Sequence, residues 1–438
     1  MMPITTSNVT GPRREVDSPD VLAGEARFSR RDAEQLNPDR KIFGCSQKSR
    51  THAACRPASF RITQMNSIVG LFTDVLPAGG VQRVSRHVAA VAAKFASDRG
   101  ASARFLSLTD PQGLHTVRVG SLEFSVSGYA GSKVQFILAA LRAAGRKPAL
   151  VIALHPHLAP IVQAMRARTR EFRSIIFSHG VEVWQPLGWP RGAALRRADL
   201  VIGPSSDTVQ HLISEQRVLP AKVQRLPWGL DSEFEARVES ASQPPPPPGF
   251  PQSGRVILTV GRWDSTERYK GADTLISSLP SVLKAAPDAS LVLVGDGDDR
   301  PRLEHLARNL GVSERARFLH GLSPAQLFDG YANCDVFALP SKGEGFGLVF
   351  LEAMACAKPV IGGAHGGIPD IVEDGVTGLL VPHGDAERLA QALETLFTDP
   401  AHASEMGARG RARVLREYTF KKFQSRLTRI LDGVMVSH

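Results

Sequence analysis

The sequence contains few cysteines and no apolar run that could cross a bilayer. Its four cysteines, Cys45, Cys55, Cys334 and Cys356, show neither CxxC nor Cys/His ligand spacing. They are typical of reduced thiols in a cytosolic protein, not of a disulfide framework or a zinc site. The longest apolar runs, such as ALVIAL at 149–154, have the length of buried strands, well short of the roughly 20 residues of a membrane span. The sequence therefore predicts a globular cytoplasmic protein.

Acidic residues are too few to balance the basic ones, and the formal net charge is +10. The surplus lies in residues 65–240, with 21 basic against 13 acidic side chains, whereas 241–438 has 21 against 23. The basic residues include the segment MRARTREFR (165–173) and, elsewhere, Arg142, Arg146, Lys147, Arg196 and Arg197. Such a face suits the inner, anionic surface of the plasma membrane or a phosphate-bearing partner, although a solvated charged face explains it equally well. We predict no nucleic-acid partner.

The chain divides into five segments. Residues 1–64 are polar, without the apolar core of a secretory signal, and predict a disordered N-terminal extension. In 65–240, continuous apolar strands alternate with amphipathic helices, the pattern of a parallel sheet covered on both faces. Five consecutive prolines mark a linker at 241–254, and the alternation resumes over 255–410. Residues 411–438 predict one C-terminal helix that can cross back onto the first domain. We therefore expect an α/β protein of two doubly wound, Rossmann-like parallel-sheet domains facing across a cleft.

The stretch SKGEGFGLVFLEAMA contains two carboxylates, Glu344 and Glu352, on either side of a predicted helix start. The preceding strand, DVFALPS, should end at the cleft, because ligands of open parallel sheets bind at the carboxyl ends of strands. The loop Gly345-Phe346-Gly347 and the first helical amide, at Leu348, would then form an anion site between the two acids. A nucleotide sugar, with its hexose, diphosphate and ribose, matches that order of groups. A loop acid and a solvated helix residue explain the spacing alone more simply.

Two further patterns favour a diphosphate. Arg262 follows a predicted strand and Lys270 precedes the next helix, so both cations can reach the same edge. The pair Gly79-Gly80 opens the first helix of the other domain, where small residues allow the backbone to approach a ligand. The Asp-x-Asp at 296–298 could instead suggest a metal, but N-capping and first-turn charge of the following helix explain it better.

Together, these residues resemble retaining glycosyltransferases of family 4, which have the GT-B fold. The resemblance covers about 66–434 and is carried by Glu344-x7-Glu352, GGIPDIV at 366–372, LVGDG at 293–297, the cations of GRW…YKG and the glycine pair. It implies that Glu344 holds the donor sugar, Glu352 the ribose, and Arg262 with Lys270 the diphosphate. It also implies that His179, with Glu182 nearby, faces the sugar. The long loop with Trp263 is similar to mannosyl-type transferases of exopolysaccharide assembly.

The implied activity is transfer of a hexose, with mannose a candidate, from a nucleoside-diphosphate sugar to a carbohydrate or lipid-linked acceptor. In this view Glu344, His179, Arg262 and Lys270 are catalytic, Gly79, Gly80 and residues 345–348 complete the donor site, and no metal or other cofactor is required. The acceptor would bind the N-terminal domain. A GT-B-shaped nucleotide-sugar epimerase remains the alternative. A glycosidase with Glu344 and Glu352 as its acid pair and a non-catalytic nucleotide-sugar sensor are less well supported.

Overall fold

The structure is a computed structural model that describes residues 67–169, 171–240 and 243–436. The predicted extension (1–64), Cys45 and Cys55 lie outside the described residues. No helix within these ranges is long and apolar enough to cross a membrane.

The first domain is built on an eight-stranded sheet. Its strands are β1 (Ser67–Phe72), β2 (Ser102–Ser107), β3 (Gly113–Val119), β4 (Leu122–Gly128), β5 (Leu150–Ala153), β6 (Arg173–Phe177), β7 (Leu200–Gly203) and β8 (Val223–Arg225). Its helices are α1 (Gly80–Ser97), α2 (Lys133–Ala144), α3 (Ala159–Arg168), α4 (Arg191–Arg196), α5 (Ser206–Ser214) and α6 (Ser232–Glu239). The strand order is β3-β4-β2-β1-β5-β6-β7-β8, and every pair except β3–β4 is parallel.

The β3–β4 hairpin corrects the expectation of a purely parallel sheet. Its register runs from Gly113 opposite Gly128 to Val119 opposite Leu122. Exposed and buried residues alternate along both strands, as expected for a strand pair with one covered face. Gly120, with φ of 55°, supplies the left-handed conformation that a two-residue hairpin turn requires. The domain is therefore a mixed sheet with a hairpin at one edge.

The second domain has a six-stranded, fully parallel sheet. Its strands are β9 (Val256–Val260), β10 (Ser290–Val294), β11 (Ala316–Leu319), β12 (Val336–Leu339), β13 (Val360–Gly363) and β14 (Leu379–Val381). The helices are α7 (Ala272–Ala285), α8 (Arg300–Asn309), α9 (Pro324–Asn333), α10 (Leu348–Ala355), α11 (Ile368–Ile371), α12 (Ala386–Thr398), α13 (Pro400–Glu417) and α14 (Phe420–Val436). The strand order is β11-β10-β9-β12-β13-β14. The alternation of buried strands and helices in both halves confirms the predicted fold class.

The proline-rich linker packs against the second domain. From Gln243 to β9 it forms neither helix nor strand. The Asn333 side-chain amide donates a hydrogen bond to the Pro244 carbonyl at 3.0 Å, and that of Gln243 donates to the Ala332 carbonyl at 3.0 Å. Phe250 is buried near the end of α9. The linker is thus bound along α9, which fixes where the second domain begins.

The single C-terminal helix predicted over 411–438 is wrong, because the chain forms two helices that break at Tyr418 and Thr419. The predicted domain end at 410 falls inside α13, which packs on α10 of the second domain. At the break, the Tyr418 carbonyl accepts a hydrogen bond from Leu230 N at 2.7 Å, and its hydroxyl donates to the Asp370 carbonyl at 2.9 Å. These bonds take the chain out of α13, and α14 then packs on α1 of the first domain.

A buried ion pair joins the two domains. The guanidinium of Arg83, on α1, donates to Glu352 Oε1, on α10, and the Tyr331 hydroxyl donates to Glu352 Oε2 at 2.6 Å. The Glu352 side chain is only 3% exposed, and its charge raises the pKa of Arg83. Because water is largely excluded, each charge depends on its partner for stabilisation.

We expect Arg83→Met to lower the free energy of unfolding by about 3–5 kcal/mol, since it leaves the Glu352 carboxylate buried without its counter-ion. Arg83→Met combined with Glu352→Gln should recover most of that loss, because the amide is neutral and still accepts from Tyr331. Urea denaturation of the two single variants and the double variant measures the coupling. Strictly additive effects would show that the two side chains do not stabilise each other.

A second carboxylate anchors the start of α14. Glu235 Oε1, on α6, accepts a hydrogen bond from Phe420 N at 2.6 Å. Burial is the main cause that raises the pKa of Glu235 to about 7, and the charges of Asp231 and Glu239 act in the same direction. Above this pH, the folded protein must keep a poorly solvated negative charge at the junction between the domains.

We expect Glu235→Gln to stabilise the protein above pH 7, because the amide keeps the bond to Phe420 without the charge. In the wild type the folded pKa lies above the ordinary value of 4.5, so unfolding releases a proton between these values and stability falls as pH rises through this window. The stability difference between variant and wild type should therefore grow from about pH 4.5 to pH 7 and then level off. Thermal unfolding across pH 4–9 measures it; a pH-independent difference would contradict the shift.

Candidate active site

A cleft of about 890 Å³ lies between the carboxyl ends of the two sheets. All the side chains and glycines predicted for the site line it: Gly79, Gly80, His179, Arg262, Lys270, Glu344, Gly345, Phe346, Gly347, Leu348 and Glu352. Glu182 lies there too. Residues up to 273 positions apart in the sequence are therefore brought to one surface by the two sheets.

The acidic loop after β12 has the predicted geometry. The strand ends at Leu339, and α10 begins at Leu348 with the left-handed Gly347 (φ 101°) at its N-cap. In the first turn, the Phe350 amide donates to the Gly347 carbonyl at 3.0 Å. The first amide of the helix, at Leu348, has no partner within the helix and points out of its end toward the cleft. A Cβ on Gly345 would lie 1.8 Å from the His179 carbonyl of the other domain. Only glycine permits this close contact, which sets the width of the cleft here.

Glu344 lines the cleft, and one of its carboxylate oxygens is buried there. Its side chain is 19% exposed, and its Oε1 has no hydrogen-bond partner among the described residues and lies 4.0 Å from Lys270 Nζ. Burial raises the pKa of this carboxyl, while Lys270 opposes the rise. A carboxylate that lines a cleft and is partly exposed can accept hydrogen bonds from the hydroxyl groups of a ligand.

Glu352 and Phe346 are less available for contact with a ligand than the sequence suggested. Both Glu352 oxygens already accept hydrogen bonds, from Arg83 and Tyr331, so a ribose would have to share the carboxylate with them or displace Arg83. Phe346 is 3% exposed and packs edge-on against Trp228 at 6.4 Å. The Phe346 ring supports the loop, so only the backbone of Phe346 can contact a ligand. The sequence did not indicate Arg83 or Tyr331, because neither belongs to a recognisable motif.

The two predicted cations lie on a loop that docks beside the acidic loop. Lys342 N donates to the Tyr269 carbonyl at 2.8 Å, and Gly271 lies against Pro340, where a Cβ would be 2.7 Å from the carbonyl oxygen. These contacts place Lys270 next to Glu344. Arg262 is 71% exposed and Lys270 15% exposed, and both contact a third carboxylate, Glu267. Glu267 was not predicted, since it lies in the polar insert of the loop.

On the opposite wall, the glycine pair faces the start of α10. Gly79 has φ of 145° and forms the N-cap of α1, and a Cβ on Gly80 would lie 3.6 Å from Leu348 Cδ1. The N-termini of α1 and α10 therefore meet across the cleft. Because both ends carry partial positive charge, the space between them favours an anion.

One ring nitrogen of His179 forms a hydrogen bond, and among the described residues the other has no partner. Its Nε2 lies 2.6 Å from the Leu154 carbonyl, which can only accept, so the neutral ring carries its proton there. Nδ1 is buried and has no hydrogen-bond partner among the described residues. Glu182 accepts from the His179 backbone amide and fixes the turn. His155, which the sequence did not single out, lies beside the ring at 6.1 Å, and burial lowers its pKa to about 4.

The aspartates at 296–299 do not converge on a cation. Asp298 accepts from the Ser265 amide and hydroxyl, and Asp299 accepts from Arg302 and Arg268. Asp299 occupies the N-cap of α8, yet its side chain makes no capping bond, and the first turn of α8 contains no acidic residue. The interpretation of these aspartates as an N-cap and first-turn charge is therefore wrong. In the part of the chain that the structure describes, no three His, Cys, Asp or Glu residues form a metal-binding group, and Cys334 and Cys356 are free thiols.

Comparisons with known proteins identify the family of the chain. The profile of glycosyl transferases group 1 matches residues 244–413, and that of Glycosyltransferase Family 4 matches 78–234. The chain is 34% identical over 276 residues, 59% of its length and 70% of the relative's, to a GDP-mannose-dependent monoacylated alpha-(1-6)-phosphatidylinositol monomannoside mannosyltransferase of Corynebacterium glutamicum. It is 31% identical over 291 residues, 63% of its length and 73% of the relative's, to a GDP-mannose-dependent alpha-(1-6)-phosphatidylinositol monomannoside mannosyltransferase of Mycolicibacterium smegmatis.

Solved structures share the fold. The sucrose-phosphate synthase of Thermosynechococcus elongatus has a TM-score of 0.67 at 24% identity, over 85% of this chain and all of the other. HepE of Anabaena, solved in complex with UDP, has a TM-score of 0.65 at 20% identity, over 84% of this chain and all of the other. These similarities confirm the two-domain fold and lend no support to the epimerase alternative. The chain is a glycosyltransferase and belongs to glycosyltransferase family 4.

Proposed function

We propose that this glycosyltransferase moves mannose from GDP-mannose to a phosphatidylinositol-type lipid acceptor. The observation that carries the proposal is the donor preference named for the related mannosyltransferases, together with a cleft that holds two cations, two helix N-termini and an unsatisfied carboxylate. In the cleft, the diphosphate would lie between Arg262, Lys270 and the helix ends, and the mannose would lie against Glu344.

The chemistry follows from where charge develops. As the glycosidic bond breaks, negative charge grows on the bridging oxygen of the leaving diphosphate, and Arg262 and Lys270 stabilise it. Because these cations supply the counter-charge, the reaction as proposed needs no metal. We further propose that the anomeric configuration is retained through a front-face reaction, in which the departing phosphate helps to deprotonate the acceptor. His179, whose buried Nδ1 has no hydrogen-bond partner among the described residues, would then accept a hydrogen bond from the sugar.

A glycosidase fits this cleft poorly. Such an enzyme needs two carboxyl groups on either side of one bond, separated by about 5–10 Å. Here the Glu352 carboxylate is 3% exposed and already holds Arg83 and Tyr331, so it cannot act on a substrate bond without losing both.

The acceptor lipid implies contact with a membrane, and α2 offers the best surface for it. Val134, Ile137 and Leu138, at i, i+3 and i+4, share one face and are 69%, 37% and 44% exposed. Exposed basic residues lie on α2 and just after its end: Lys133, Arg142, Arg146 and Lys147. Apolar groups flanked by positive charge are typical of a helix that lies in the interface of an anionic membrane. We therefore propose that α2 binds an anionic membrane surface, for which the sequence suggested the inner face of the plasma membrane.

Part of the basic segment 165–173 has a different role. Arg166 donates to Asp199 at 2.5 Å and to the Ser174 hydroxyl at 2.9 Å, so it ties α3 to the sheet. Lys147 pairs with Glu171 at 3.2 Å, a surface contact that leaves it 65% exposed. The docking surface is therefore centred on α2, not on the segment whose composition is most basic.

We expect Lys270→Met and Glu344→Gln each to reduce mannose transfer to phosphatidylinositol-containing vesicles at least about 100-fold, because each removes a charged contact to the donor. Lys284→Met, at an exposed position of α7, is the matched control and should retain activity. Radiolabelled GDP-mannose measures transfer, and circular dichroism verifies the fold. GDP-mannose should also raise the melting temperature of the wild type more than UDP- or ADP-sugars do.

Full activity in both cleft variants would contradict the site, whereas a larger thermal shift with a UDP- or ADP-sugar would contradict only the choice of donor. The anomeric configuration of the product, read by NMR coupling constants, tests retention separately.

We expect Val134→Asp combined with Leu138→Asp to weaken binding to anionic vesicles about tenfold or more, because charged groups cannot enter the interface. Leu114→Asp, on β3, replaces a leucine that is 72% exposed and should leave binding unchanged. Vesicle sedimentation with phosphatidylinositol or with neutral lipid measures binding, which should fall as salt rises. Equal binding of the wild type to neutral vesicles, or equal loss with Leu114→Asp, would contradict a docking face on α2.

A further inference from the structure

The two cations assigned to the diphosphate are already paired with a carboxylate from the same loop. Glu267 Oε1 accepts a hydrogen bond from the Arg262 guanidinium, and Glu267 Oε2 lies 3.2 Å from Lys270 Nζ. The Glu267 side chain is 12% exposed, so this pairing is partly shielded from water. Glu267 therefore sits where negative charge of the diphosphate is expected.

The loop is shaped to hold Glu267 between the cations. A 3₁₀ segment spans Ser265–Lys270, and Glu267 departs from helical geometry with φ −115° and ψ 25°. Its backbone amide donates to the Asp264 carbonyl at 2.8 Å. Its side chain can thus contact Arg262, five residues back, and Lys270, three residues on. A surface glutamate in a polar insert would not need this geometry.

The net charge of these side chains determines how the Glu267 pairing affects a bound diphosphate. Arg262 and Lys270 are balanced by Glu267 and Glu344, so the group is formally neutral before any ligand enters. A bound diphosphate must compete with Glu267 for the cations, and its own negative charge is repelled by the carboxylate. A free nucleoside diphosphate carries about one more negative charge than the sugar diphosphate near neutral pH, because its terminal phosphate ionises with a pKa of about 6. The repulsion is therefore greater for the product than for the donor.

We propose that Glu267 is a positioning residue that promotes release of the nucleoside diphosphate. It holds Arg262 and Lys270 in place while the cleft is empty, and it competes with the product for them after transfer. This inference rests on the proposed function in that the cleft takes a nucleoside-diphosphate sugar. A glutamate that merely supported the loop would have the opposite effect on affinity, since its removal would disorder the cations and weaken binding.

Calorimetric titration of the full chain with GDP, GDP-mannose and inorganic pyrophosphate tests the proposal. Glu267→Gln should bind GDP about five- to tenfold more tightly than the wild type, with a smaller gain for GDP-mannose. In the transfer assay, GDP should inhibit this variant at correspondingly lower concentration. The matched control is Glu304→Gln on α8, which removes a carboxylate paired with Arg300 at 2.8 Å outside the cleft and should change none of these affinities.

Glu267→Ala removes the whole side chain and should shift the affinities in the same direction. Unchanged or weaker GDP binding in both variants, with the wild type binding normally, would overturn the role of Glu267 and leave the proposed function intact. Failure of the wild type to bind GDP and GDP-mannose would contradict the proposed function instead. Pyrophosphate, which requires only the two cations, would still report whether removal of Glu267 tightens anion binding.

Discussion

The central constraint on this structure is that a cleft built to bind an anion must also be stable without one. Uncompensated cations in a partly buried site repel one another and lose hydration. Here three of the cations that line the cleft are paired with glutamates that also line it: Arg262 and Lys270 with Glu267, and Arg83 with Glu352. Of the two carboxylates in the motif, Glu352 thus also serves as the counter-ion of Arg83, and Glu344 Oε1 lies 4.0 Å from Lys270 Nζ.

Backbone contacts fix the distance across which these charges act. The two domains are in close backbone contact where Gly180 and the His179 carbonyl meet Gly345, at separations that no side chain would allow. Near this contact, Gly80 faces Leu348, so the N-termini of α1 and α10 are opposed. The chain crosses back to the first domain at Tyr418, whose carbonyl and hydroxyl bind both domains. The width of the cleft is therefore set by backbone geometry, and side chains tune its charge.

Most of the fold and the position of the cleft could be predicted from the sequence. Buried strands alternating with helices specify parallel sheets, and parallel sheets bring strand ends such as those before Arg262 and Glu344 to one edge. The β3–β4 hairpin was missed because its period-two pattern is short and one face is exposed. The break at Tyr418 was missed because it depends on hydrogen bonds to Leu230 and Asp370, which are distant in sequence.

The charge pairing within the site could not be predicted for the same reason. Arg83 is one arginine among many in a basic domain, and its partner lies 269 residues away. Tyr331 and Glu267 belong to no motif, and their importance comes from contacts that only the folded chain makes. Sequence spacing identified which charged groups could reach a ligand. The structure shows which of these groups already form ion pairs with other side chains.

A ligand would disturb different contacts at the ion pairs of Arg262 and Lys270 than at the ion pair between Arg83 and Glu352. Arg262, Glu267, Lys270 and Glu344 all belong to the second domain, so competition for these cations changes only local contacts. Glu352 is bound to Arg83 of the other domain, so a ribose that takes the carboxylate competes with a bond between domains. If the proposed function holds, the diphosphate of the donor competes for ion pairs within one loop region, and the ribose competes for an ion pair between the domains. A single ligand would thereby couple release of the product to one of the contacts between the two domains.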